Sequence, residues 1–332
     1  LSVRQLERLV DGLHRSFGWD RAEEVTFECE PGTLSEPKVQ ALKALGMTRI
    51  SLGVENFDDA ILEANGRAHL SAEILRAWEW IQAAGFPNTN IDLIAGMLGE
   101  TTASWRRTVE RTLALAPDSV TIYQMELPFN TVFVKDAKGE GTHVPVADWD
   151  TKRAWVDEAY ERFLASGYAI SSGYTLVRDP ERVHFRYRDM LWEGSDLAAL
   201  GVASFGHVGG VHYQNAPHQD DYLREVEAGR LPLARGLVAT PRELLIRQLV
   251  LGLKRGRLDT TRLTRLFGID PLVAWAPQWQ SLAEEGCIDS LGPPVVLSRR
   301  GLLRVDALLP RFFEPLVDGN SAVSLPSGGA SG

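Results

Sequence analysis

Between residues 20 and 130 short apolar runs alternate with amphipathic stretches, and the apolar runs stop on or beside polar side chains. VTFEC (25–29) reads as a buried strand broken by Pro31-Gly32, with a helix over 35–45 that Gly46 ends. RISLGV (49–54) follows, then a short helix near 58–64 and a longer one over 71–84 that Gly85 stops. NIDLIA (90–95) is a third strand. The helix over 101–116 opens on Thr-x-x-Ser, a capping sequence, and SVTIYQ (119–124) is the fourth strand. Single helices between strands predict βα units and a parallel sheet, and the lack of a glycine-rich phosphate fingerprint favours a barrel over a dinucleotide fold. Polar residues mark the strand ends: Glu28 and Glu30, Glu55, Asp92, Gln124 and Glu126. In βα barrels such groups converge on the active site, so one rim carrying Glu28, Asp92 and Gln124 is expected. Taken singly, each could equally meet solvent as its strand emerges. Four strands do not close a barrel, so either the chain starts midway or the sheet is an open arc.

The remainder reads differently. A helix over 150–166 and a strand-like 167–175 lead into an aromatic, histidine-rich loop at 184–215. Beyond Thr240 come helices at 241–253, 260–267 and 272–285, a hairpin around Gly292-Pro293-Pro294, and a final helix at 300–313. Three helices with a small β element predict a winged-helix-like arrangement. The Ser/Gly/Ala-rich end has the composition of a disordered tail. The expected division is therefore a barrel portion at 1–145, its end and a substrate-covering segment at 146–235, a helical winged-helix-like domain at 236–316 and a tail at 317–332.

Composition sets limits. With 332 residues, 44% hydrophobic and 24% charged, there is ample chain for a globular core. Net charge of -9 disfavours nucleic acid as a partner of the whole chain. Two distant cysteines, Cys29 and Cys287, suggest no disulfide framework and fit a cytoplasmic protein. No apolar run is long enough for a membrane-spanning helix.

Four segments then carry a resemblance: FECEPGTL (27–34), LGMTRISLGVENFDDAILEANGRAH (45–69), NTNIDLIAGMLGET (88–101) and LAPDSVTIYQMELPFNT (115–131). In order and spacing they resemble the core of radical S-adenosylmethionine enzymes of the oxygen-independent coproporphyrinogen III oxidase family and its haem-chaperone relatives. GSDLAALGVASFGHVGGVHYQN (194–215) is similar to the family's closing segments. The resemblance implies an α/β fold, a partial (β/α) radical-SAM barrel with a helical, winged-helix-like C-terminal domain. It implies S-adenosylmethionine at the carboxyl strand ends, with Glu28 on the methionine ammonium, Arg67 gripping the methionine carboxylate in a fork and Asp92 accepting from the ribose hydroxyls. Bland alternatives are a rim ion pair for Glu28, a helix-surface charge for Arg67 and a partner for a buried amide for Asp92. Where the family often has glutamine this chain has Glu55, so contacts near the adenosine must differ or Glu55 must be protonated.

The family's Cys-x-x-x-Cys-x-x-Cys loop and Gly-Gly-Gly-Thr-Pro segment are absent from this sequence. The resemblance places both upstream, which reads as truncation, and the present chain alone is expected to be inactive because a [4Fe-4S] cluster needs several thiolates. In the family the reduced cluster, supplied by an electron donor, cleaves S-adenosylmethionine to a 5′-deoxyadenosyl radical that abstracts hydrogen from substrate. The oxidase reaction turns two propionates of coproporphyrinogen III into vinyls. The aromatic loop 184–215 and residues 123–130 could line a tetrapyrrole pocket. His184, His207, His212 and His218 could serve as haem ligands in a chaperone, or could be packing and surface residues. FRYRDMLWEGSDL (185–197) matches neither the oxidase nor the chaperone closely, leaving room for a haem-modifying member.

Overall fold

The computed structural model describes residues 1–126 and 146–314 and the backbone of Val323–Ser324. The sequence beyond 316, expected to be a tail, otherwise lies outside the described residues, as do residues 127–130 of the expected pocket lining. The chain divides into two compact units, Leu1–Arg186 and Tyr187–Gly332.

In the first unit, helix α1 (Val3–Ser16) precedes strand β1 (Thr26–Cys29). Then come α2 (Glu36–Ala44), β2 (Arg49–Glu55), α3 (Asp59–Ala64), α4 (Ser71–Ala84), β3 (Asn88–Ala95), α5 (Thr102–Leu115) and β4 (Ser119–Gln124). After α6 (Trp149–Ala165) the short strands β5 (Ala169–Ile170) and β6 (Thr175–Val177) complete one sheet, ordered β1-β2-β3-β4-β6-β5. β1 to β4 run parallel, as the alternation of strand and helix predicts, and β6 and β5 extend the sheet antiparallel.

Local chemistry sets the element ends. Thr101 caps α5 by accepting from Ser104 N–H at 3.2 Å, with Ser104 Oγ accepting in return from Thr101 N–H at 2.9 Å. α4 ends on Gly85 at φ 65°, a left-handed position that costs glycine little. One sheet face is apolar: Ile50, Leu52, Val54, Ile91, Leu93 and Val120 are fully buried. Ile74 and Ile81 of α4 are buried as well, and each such side chain stabilises by about 1.5–3 kcal/mol relative to exposure. The other face carries Arg49, Ser51, Asn90, Asp92, Ser119 and Thr121, so a continuous polar patch forms on one side of the same strands.

The division between the units falls in α7 (Arg186–Trp192). The region expected to be an aromatic loop is more ordered than that. It holds α7 and a hairpin of β7 (Phe205–Val208) and β8 (Val211–Asn215), closed by Gly209 and Gly210 at φ 58° and 79°, the positive angles a two-residue hairpin turn requires. After α8 (Gln219–Glu227), β9 (Leu233–Val238) pairs with β8, and the backbone of Val323–Ser324 with β9.

The succession α9 (Pro241–Lys254), β10 (Arg257–Leu258), α10 (Thr260–Phe267), α11 (Pro271–Ala274), α12 (Ala276–Glu284), β11 (Ile288–Leu291) and β12 (Val295–Leu297) follows. Its small sheet is ordered β10-β12-β11, the helix and strand sequence of a winged helix. Two expected helices prove interrupted. The one over 272–285 breaks at Trp275, two residues before Pro277. The one over 300–313 breaks at Arg304 and ends as a tight 3-10 turn around Pro310, which lacks the N–H that an α-helix needs.

Candidate functional site

The polar face of the sheet is a connected ladder. Asn90 Nδ2 donates to Ser51 Oγ at 2.9 Å and to Asp92 Oδ1 at 2.8 Å. Ser51 Oγ donates to Asp92 Oδ2 at 2.7 Å. Ser119 Oγ and Thr121 Oγ1 donate to Asn90 Oδ1 at 2.7 Å and 3.2 Å. The buried amide is thus satisfied from three strands, and Asp92 is oriented from both of its oxygens. Burial pushes the Asp92 carboxyl above its ordinary value against the pull of Ser51 and Arg49, with Glu28 adding to the rise. A carboxylate holding two donors still has lone pairs to offer.

Toward the carboxyl ends of the strands the ladder gives way to charge. Arg67, in the loop after α3, sets Nη1 3.8 Å from Glu30 and 3.7 Å from Glu55. Glu55 sits at a bulge where Gly53 pairs with Asp92 and Glu55 with Leu93, at φ 65°. A non-glycine residue there costs on the order of 1–3 kcal/mol and is often recruited for function. Its carboxylate turns back over Gly53, 3.1 Å from where a Cβ would stand. Burial raises Glu55 to about 7; Arg67 opposes this, and Asp92 and Glu30 add to it. Tyr123 is half-exposed, and its hydroxyl is pushed up to about 12 by burial, with Asp92, Glu28 and Glu55 contributing.

Three rim loops are tied together beneath these groups. Glu100 accepts from Gly96 N–H at 2.6 Å, Met97 N–H at 3.3 Å and Asn56 Nδ2 at 2.6 Å. Asn65 exchanges hydrogen bonds with the Leu98 backbone at 3.0 Å and 3.1 Å. Gly32 lets the Arg67 loop approach β1: a Cβ there would meet Ala68 O at 2.9 Å.

Glu28, Glu55, Arg67 and Asp92, the residues expected at one site, come together here. Glu28 is exposed on the same face as Ser51, its partner in register, and its charge acts on Asp92. The amide partnership considered for Asp92 is also real. Gln124 is a correction: it pairs with Ala95, one residue out of step with Asp92 opposite Thr121, so strand alternation puts it on the helix-covered face. Tyr123 takes the rim position instead. Glu30, a strand end by sequence, joins the site beside Arg67 because Gly32 lets the two loops meet, a contact that no sequence pattern marks. Of the four histidines, His207 and His212 meet on the β7–β8 hairpin, while His184 and His218 are exposed elsewhere.

Glu30 and Glu55 flank the Arg67 guanidinium, and Asp92 and Glu28 lie on the same face of the strands, a rim suited to a ligand with positive charge and one carboxylate. S-adenosylmethionine carries such charges: a sulfonium and an ammonium that acids could hold, and a carboxylate that a guanidinium could take. A cluster does not fit the donors of this chain. Cys29 lies in β1, its Sγ 3.2 Å from Ser51 O and its thiol pushed up by burial, whereas Cys287 is buried in the second unit. Among the described residues no group of three or more potential metal ligands occurs, and no helix is long and apolar enough to cross a membrane.

Residues 8–112 match the radical SAM superfamily. The heme chaperone HemW of Lactococcus lactis is 30% identical over 228 residues, 68% of this chain and 58% of that protein. The oxygen-independent coproporphyrinogen III oxidase of Thermostichus vulcanus is 27% identical over 278 residues, 79% of this chain and 83% of that protein. The solved structure of coproporphyrinogen III oxidase (HemN) from Escherichia coli, a radical SAM enzyme, superposes with a TM-score of 0.79 over 94% of this chain and 74% of that one, at 21% identity. The chain spans 58% of the length of the Lactococcus relative, and chaperone and oxidase stand at similar identity. The superfamily works with S-adenosylmethionine and a [4Fe-4S] cluster. Fold and likenesses agree: residues 8–112 form a radical SAM domain, and coproporphyrinogen III oxidases and heme chaperones are among the homologues of the chain.

Proposed function

We propose that the chain holds S-adenosylmethionine for a radical oxidoreductase that converts propionates of coproporphyrinogen III to vinyls in porphyrin biosynthesis. The observation that carries the cofactor half is the Arg67 guanidinium set between Glu30 and Glu55, with Glu55 in turn coupled to the ordered Asp92 carboxylate. Arg67 takes the methionine carboxylate, which replaces its present acid partners. Glu28, exposed on the face that carries Asp92, takes the ammonium. Asp92 accepts from the ribose hydroxyls with lone pairs that Ser51 and Asn90 leave open. Bound S-adenosylmethionine, reduced through a [4Fe-4S] cluster, supplies the hydrogen-abstracting chemistry. The cluster thiolates and the electron donor come from outside this chain, whose two cysteines stand apart.

The substrate half rests on the oxidase relatives. The Lactococcus likeness favours a second reading, a haem-binding chaperone on the same scaffold. A haem-modifying radical enzyme is a third.

Anaerobic product analysis by mass, with the cluster in place, tests all three. The oxidase reading expects 5′-deoxyadenosine together with loss of two carboxyl groups from coproporphyrinogen III. 5′-Deoxyadenosine with untouched coproporphyrinogen would keep the cofactor assignment and remove the substrate. Stable haem binding without S-adenosylmethionine cleavage would favour the chaperone.

A further inference from the structure

The β7–β8 hairpin carries two imidazoles in direct register. His207 lies opposite His212, their ring centroids 6.2 Å apart, and Phe205 stacks on His212 at 5.8 Å. Val208 and Val211 close the two-residue turn, which makes His207 and His212 a non-hydrogen-bonded pair, the kind whose side chains approach most closely. His207 uses its backbone N–H and C=O on Leu197 instead, at 2.9 Å and 2.7 Å. Its side chain is buried at 6% exposure, and Nδ1 has no hydrogen-bond partner among the described residues. A buried ring nitrogen left unpaired is costly, so the position calls for a ligand atom.

The surrounding charge says which kind. Arg247 of α9 is half-buried, acts on both imidazoles, and makes no hydrogen bond or close ion pair among the described residues. Arg235 of β9 acts on His212 and donates to Gln214 Oε1 at 2.8 Å. The one carboxylate acting on His207 and Arg247, Asp196, already accepts from Gly209 N–H at 3.0 Å. Burial first, and these cations second, hold both imidazoles below their ordinary values, so they stand neutral with an N–H each to give. Two fixed cations against one engaged carboxylate repel a metal ion and attract an anion.

We propose that His207, His212 and Arg247 form a binding site for an oxyanion group, carboxylate or phosphate, of a small-molecule ligand. The anion takes the Arg247 fork and an imidazole N–H, and its charge makes a protonated imidazole cheaper. This does not depend on the tetrapyrrole reading, nor on the strand-end site of the other unit.

The test is an imidazole-resolved NMR titration of the whole chain with 15N-labelled histidine. It compares chloride, succinate and inorganic phosphate at equal ionic strength. Succinate or phosphate should raise the midpoints of His207 and His212 by about 0.5 pH unit or more while leaving His218 unmoved. A rise with succinate alone assigns a carboxylate ligand, and with phosphate alone a phosphate. Arg247→Gln should abolish the response, and Arg247→Lys should keep part of it because charge without the fork remains. Equal midpoints in all three salts, or a rise that His218 shares, would overturn the assignment. Far-ultraviolet circular dichroism reports whether each variant is folded.

Discussion

Arg67 Nη1 stands 3.7 Å from Glu55, a carboxylate that burial raises to about 7. The pair therefore changes character near neutrality. Between the ordinary 4.5 and about 7 the folded protein keeps a proton that the unfolded chain releases. Stability falls as pH rises through that window and levels off above it. Glu55→Gln removes this loss. Thermal melts should show the variant more stable than the parent at pH 8, by at most about 3 kcal/mol, with the gap closing toward pH 5. A constant gap across the range would mean that Glu55 does not titrate there. Glu100, also raised to about 7 by burial, titrates in both proteins and cancels in the comparison.

Replacing the guanidinium should cost cofactor affinity. Arg67→Ala is expected to weaken S-adenosylmethionine binding by about 10- to 100-fold, about 1.4–2.8 kcal/mol, as for a lost charged hydrogen-bond partner. Arg67→Lys should be impaired too, because an ammonium cannot fork a carboxylate. Unchanged affinity by calorimetry would remove Arg67 from the site.

Gly32 is where the rim loops meet. In Gly32→Ala the new Cβ would lie 2.9 Å from Ala68 O and 3.3 Å from His69 Cβ, so the Arg67 loop must shift. The expected outcome is a loss of about 1–3 kcal/mol in stability together with weaker cofactor binding. Denaturation and binding measured on the same sample decide it; loss of stability with full affinity would show that Arg67 does not depend on this contact.

Asn90 joins three strands. Asn90→Leu leaves Ser51, Ser119 and Thr121 short of a buried partner, and about 2–4 kcal/mol of stability should go with it. A denaturant midpoint within error of the parent would mean the ladder is replaceable.

Much of this was legible in the sequence. The strands of the first unit stand out because apolar runs of four to eight residues are punctuated by Pro31-Gly32, Gly46 and Gly85, and the resemblance pointed to Glu28, Arg67 and Asp92. Gln124 falls off the rim because a strand end reaches it only in the two-residue period of Asp92's partner Thr121, which Tyr123 keeps and Gln124 does not. The bulge that turns Glu55 back over Gly53 leaves no mark in the residues, since it arises from pairing with β3. In the histidine-rich segment, Gly209-Gly210 between alternating side chains is the hairpin signal that outweighs its loop-like composition. The winged-helix succession was legible from its helices and the Gly292-Pro293-Pro294 turn. α12 carries no lysine or arginine, so that helix offers no cation to a phosphate backbone.

The carboxyl ends of β1 to β3 are proposed to recognise a cation-bearing amino-acid ligand through Arg67, flanked by Glu30 and Glu55, and the acids of the same face. Calorimetric titration of S-adenosylmethionine and S-adenosylhomocysteine, which differ in the sulfonium charge, into the protein at pH 8 tests this recognition most directly. S-adenosylmethionine should bind at least about 10-fold more tightly, because Glu55 is then ionised beside Glu28, Glu30 and Asp92 and the charge is worth about 1.4 kcal/mol or more at such a rim. Equal or tighter binding of the uncharged analogue would contradict the account.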